Sequence, residues 1–60
     1  MQREIRQLRS MVEAMARGEQ VTPDPPLDLV EAEALVLLAN RRGLVVWGLD
    51  GGTLSATYPE

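Results

Sequence analysis

The side chains able to do chemistry in this chain are carboxylates, arginines and a few hydroxyls; histidine, cysteine, lysine and phenylalanine are absent. General acid–base work near neutral pH draws on histidine or on carboxylates whose pKa burial has moved. Here the carboxylates have structural assignments. Asp28 stands just before an apolar run as a helix N-cap, and Glu31, three residues on, completes an acidic capping box. Asp50 opens a glycine-rich turn, which leaves Glu33 on a polar stripe with Asn40. Ser10, Ser55 and the threonines have no base to activate them. Asp50-Gly51-Gly52 lacks the following helix and lysine of a phosphate-cradling loop. The expectation is a non-enzyme with no catalytic residue, no metal site and no cofactor.

Composition narrows the class further. Sixty residues lie near the lower limit for independent folding, where natural chains add disulfides, a metal or a partner subunit. Without Cys or His the first two routes are closed, so oligomerisation is expected. Charged residues from Arg3 to Arg9 exclude an apolar signal-peptide core at the start. The longest apolar run, Ala34 to Ala39, is far short of the roughly 20 residues that span a bilayer. A cytoplasmic protein with no membrane partner is the expectation. The net charge of −3 divides into +1 over residues 1–21 and −4 over 22–60, and an acidic body opposes nonspecific nucleic-acid binding.

The elements expected to position these residues form one small domain. Residues 1–18 read as an amphipathic helix, about Gln2 to Arg17, with Ile5, Leu8, Val12 and Met15 at heptad spacing and Gly18 as its stop. That seam can pack on the chain's own second helix or on a symmetry mate; the second reading is preferred, which makes Ile5, Leu8, Val12, Met15, Leu35 and Leu38 the candidate self-association residues. Residues 19–27 form a stiff, proline-rich connection through Pro23, Pro25 and Pro26. Residues 28–43 read as a helix from Leu29 to about Arg42, stopped by Gly43. It is apolar around most of its circumference, as expected of a buried helix.

Residues 44–58 read as a β-hairpin turning at Asp50-Gly51-Gly52. A two-residue loop at Asp50-Gly51 or at Gly51-Gly52 puts Val45, Trp47, Leu49, Leu54, Ala56 and Tyr58 on one face. A three-residue loop sets Leu49 against Thr53 and mixes the faces, so that register is rejected. Leu44 and Val46 then lie on the other face, giving the first strand two apolar sides and a covered, inner position. Trp47 and Tyr58, the only aromatics, are expected in the core or as interface anchors. With Leu44 and Val46 they form the candidate partner-binding set.

A helix ending in Arg41-Arg42-Gly43, followed by a hairpin with a glycine-rich tip, resembles the last helix and wing of winged-helix domains over about thirty residues. The resemblance implies DNA binding, with Arg41 and Arg42 as contacts. The departures are substantial: the helix opens with Leu29, Val30, Glu31 and Glu33 in place of base-reading polar groups, and the tip carries Asp50 and no base. The sequence therefore favours an obligately oligomeric α+β protein that binds itself and another protein in a regulatory or accessory role. A winged-helix-like DNA-binding dimer is the alternative, and a structural subunit of a larger assembly stands third.

Overall fold

The computed structural model describes residues 2–49 and 52–59. Helix α1 spans Ile5–Ala16 and α2 spans Leu29–Arg41. Strands β1 (Val45–Trp47) and β2 (Ser55–Thr57) form an antiparallel pair, so the fold is α+β. Both helices lie on one face of this ribbon. α1 packs on α2 and on β2, and α2 packs on β1.

Each helix is bounded by local chemistry. At the start of α1, the Gln7 side chain accepts a hydrogen bond from the Glu4 backbone N–H at 2.7 Å. The helix begins at Ile5, short of the expected Gln2: Glu4 is its N-cap with an extended backbone (ψ 155°), and the Arg3 N–H before it donates to the Glu31 carboxylate. At the other end Gly18 takes φ +89°, its N–H bonding to the Met15 carbonyl and the Glu19 N–H to Ala14. This pair of bonds is the Schellman arrangement, which satisfies carbonyls that the helix leaves open. α2 ends identically. Gly43 (φ +87°) donates to Asn40, and Leu44 donates to Ala39. The second motif turns Leu44 directly into the core.

The core is filled from within the chain. Leu8, Val12 and Met15 of α1 pack with Leu35 and Ala39 of α2 and with Leu44 and Leu54 at the ends of the hairpin strands. Leu8, Val12 and Met15 of the first-helix seam therefore pack on the chain's own second helix, and only Ile5 of that seam is exposed. α2 is not buried all round. Glu31, Leu35 and Ala39, at helical spacing, point inward, while Leu29, Val30 and Leu37 remain exposed.

The hairpin adopts the register that face-matching rejects. Val45 pairs with Thr57, Val46 with Ala56 and Trp47 with Ser55. Leu44, Val46, Leu54 and Ala56 belong to the core side, and Val45 and Trp47 are on the outside. The second strand has one apolar face, as its alternation implies; the first is apolar on both and sets no register by itself. Gly48 supplies the missing constraint. Its φ is +86°, and a Cβ built there would sit 2.2 Å from the Thr53 carbonyl oxygen. Only glycine permits this approach, and it ends β1 at Trp47, short of the expected Leu49.

β1 is not the inner strand. The connection after α1 bonds to the other side of the hairpin's second arm. Val21 and Leu54 exchange backbone hydrogen bonds at 2.9 and 2.6 Å. The Thr22 and Thr53 hydroxyls meet at 2.9 Å alongside. Asp50 and Gly51, assigned to the turn, lie outside the described residues.

Two glycines separate backbone strain from steric clash. Gly18→Ala, with nothing within 4 Å of the added Cβ, should cost about 1 kcal/mol from positive φ alone. Gly48→Ala adds the collision with Thr53 and should cost more than about 2 kcal/mol. Urea melts of the two variants test this, and equal losses would contradict the close approach at Gly48.

Candidate functional site

The placement of α2 begins with its first turn. Asp28 Oδ1 accepts from the Glu31 backbone N–H at 2.7 Å, and Glu31 Oε1 accepts from the Asp28 N–H at 3.0 Å, the reciprocal box expected from the sequence. Glu31 also receives the Arg3 backbone N–H at 2.8 Å and the Arg3 guanidinium at 3.1 Å. The same guanidinium donates to the Pro25 carbonyl oxygen. Glu31 is fully buried and the Arg3 side chain nearly so. The capping box follows from local spacing, whereas the ion pair does not, because nothing in the spacing links residue 3 to residue 31.

Both carboxyls are held below their ordinary values. For Asp28 the main cause is the hydrogen bond from the Glu31 backbone N–H. For Glu31 it is the bond from the Asp28 backbone N–H, opposed by desolvation and by the Asp28 charge and reinforced by Arg3. These are stabilising interactions with the charged form.

With Glu31 turned inward, the opposite side of α2 faces solvent: Leu29, Val30, Glu33, Leu37, Asn40 and Arg41 are all exposed. Leu29 is 76% exposed and Leu37 is 63% exposed, values far above those of a covered side chain. Beside this face an open groove of about 520 Å³ is lined by Leu29, Ala32, Glu33, Val36, Leu37 and, from beyond β1, Leu49. Its walls are apolar except for Glu33. The sequence held a signal for it. The polar stripe at Glu33 and Asn40 marks the outward side, so the apolar residues flanking that stripe are the ones left uncovered.

The expected interaction residues are dispersed. Leu8, Val12, Met15 and Leu35 are core, Leu38 is half-buried against them, and Ile5 is exposed at the start of α1. Of the candidate partner-binding set, Leu44 and Val46 face the core, whereas Trp47 and Tyr58 are more than half exposed. The Trp47 indole N–H donates to Thr57 Oγ1 at 3.1 Å across the outer surface of the hairpin. The Tyr58 ring lies against Gly43, 3.8 Å from where a Cβ there would stand.

The arginines do not form one uniform face. Arg3 is committed to Glu31, and Arg6 pairs with Glu4 on the surface. Arg9, Arg41 and Arg42 line a shallow groove of about 230 Å³ whose floor includes Val12 and Leu38. Glu13 sits among them and accepts from Arg42 Nε at 2.9 Å. That bond is the main reason the Arg42 pKa is raised. Arg42 thus ties the end of α2 to α1, beyond the helix-dipole role read from its position.

No known protein family, characterised protein or solved structure matches this chain. Among the described residues no cluster of three or more His, Cys, Asp or Glu is placed to hold a metal, and no helix is long and apolar enough to cross a membrane. No buried side-chain nitrogen or oxygen among them lacks a hydrogen-bond partner.

The depressed carboxyls give stability a defined pH dependence. A group whose folded pKa lies below its unfolded value stabilises the fold above the unfolded value and loses that contribution as pH falls through the folded one. With ordinary values of 3.8 for Asp28 and 4.5 for Glu31, the thermal midpoint should hold at neutral pH. It should fall progressively once the pH drops below about 4.5. Circular-dichroism melts from pH 7 to 2 measure this. In Glu31→Gln the midpoint should be lower at pH 7 and the acid-induced decline shallower; an unchanged pH slope would show that Glu31 is not held in its charged form.

Proposed function

We propose that this chain is a non-catalytic protein-interaction module of the cytoplasm, working in an oligomer and regulating or completing a partner protein. The outer face of α2 and the adjoining groove are its binding surface. The observation that carries this reading is the groove walled by Leu29, Val36, Leu37 and Leu49. A contiguous apolar surface on a small folded chain is a marker of protein contact, because leaving it wet forgoes burial free energy. Its open shape beside an exposed helix suits the seating of another helix or an apolar segment.

The arginines give less support to the DNA-binding alternative. Of its two named contacts Arg42 is engaged by Glu13, and among the other arginines Arg3 is held by Glu31 and Arg6 by Glu4. Arg9 and Arg41 line a groove that Glu13 also lines. Neutralising phosphates needs more free cations than this for tight binding at physiological salt.

Leu37→Glu tests the interaction surface, since Leu37 is 63% exposed and outside the core. The variant should keep the helical circular dichroism of the parent. Pull-downs from host lysate should recover a specific protein with the parent and lose it with Leu37→Glu, while Gln20→Ala, an exposed change outside the groove, retains it. Equal recovery by the parent and Leu37→Glu would remove this face as the binding surface.

A further inference from the structure

Resting on the reading of α2 as a binding face, we infer that its occupant is a second copy of this chain, with the two α2 helices packed antiparallel about a two-fold axis at Leu37. The outer face of α2 is self-complementary in charge. Glu33 and Arg41 are both exposed on the outer face of α2, and neither has an ion-pair partner among the described residues. Leu37 lies midway between them in sequence. At 1.5 Å per residue the two charges stand about 6 Å to either side of Leu37 along the helix.

A two-fold axis through Leu37 superposes each charge on its opposite. Glu33 of each copy meets Arg41 of the other, and Leu37 meets its own symmetry mate between the two ion pairs. A parallel arrangement would set Glu33 against Glu33 and Arg41 against Arg41. Antiparallel pairing also opposes the helix macrodipoles favourably. The contact is isologous, so it closes at two copies and leaves no open end for polymerisation.

A standard interface buries about 800 Å² per partner, roughly a fifth of the 4087 Å² exposed here. The side chains it would cover first, Leu29, Val30 and Leu37, are the most exposed large hydrophobics of α2. This interface is separate from the α1 seam, whose Leu8, Val12 and Met15 are already buried within the chain.

Sedimentation equilibrium of the full chain and four variants tests the inference. The parent should sediment at twice its 6.6 kDa chain mass at micromolar concentration. Glu33→Arg and Arg41→Glu should each weaken association by about tenfold, because each replaces two symmetry-related attractions with repulsions. The double variant, with both charges exchanged, should recover most of the parent's affinity, and Leu37→Glu should be monomeric and folded. A monomeric parent, or a double variant weaker than either single change, would overturn the two-fold pairing. If the parent is monomeric yet its lysate capture still depends on Leu37, the pairing fails while the binding-face reading stands. If capture is also insensitive to Leu37, both fail.

Discussion

The buried carboxylate of Glu31 sets the geometry on which the rest of the structure depends. It accepts from the Asp28 N–H within its own helix turn and from both the backbone and the guanidinium of Arg3. A charged group in the interior is tolerated only with this degree of compensation. Once Glu31 must face inward, helical periodicity carries Leu35 and Ala39 inward with it and fixes the rotation of α2 about its axis. The segment before α1 is held to α2 by the same contacts, and the Arg3 guanidinium reaches on to the Pro25 carbonyl. A single side chain therefore joins the start of the chain, the end of the proline-rich connection and the first turn of the second helix.

Glycines then determine how the elements follow one another. Gly18 and Gly43 close the helices with matching hydrogen-bond pairs, and the second sends Leu44 inward beneath Ala39. Gly48 allows β1 to approach the Thr53 carbonyl and sets which face of the hairpin meets the helices. A one-residue shift would turn Val45 and Trp47 inward and push Leu44 and Val46 out. The bonds between Val21 and Leu54 fasten the connection against the opposite edge of the hairpin.

Functionally, the outcome is a division between two sides of α2. One side completes a core shared with α1 and the hairpin, and the other carries Leu29, Val30 and Leu37 into solvent with Glu33 and Arg41 among them. The core is small, as the chain length requires. Covering the outer face would add apolar burial that the chain does not obtain alone, so binding and stability are linked in the proposed module.

Local sequence chemistry determined both ends of α2 and the close of α1. The Asp28–Glu31 box, the stops at Gly18 and Gly43, the heptad-spaced side of α1 and the alternation of the second strand are each set by residues within a few positions of one another. What the sequence left open were choices between surfaces of equal hydrophobicity. α2 is apolar around most of its circumference, and the Arg3–Glu31 pair, a contact across 28 residues, decided which side went in. The first strand is apolar on both faces, and the close approach of Gly48 to Thr53 decided its register. Leu8, Val12 and Met15 could satisfy an internal or an external helix equally well by spacing, and the chain's own α2 fills that role. Pattern locates amphipathic surfaces because burial is nearly non-directional. Only directional contacts between distant residues, a buried ion pair and a backbone approach that excludes a Cβ, select among surfaces that hydrophobicity leaves equivalent.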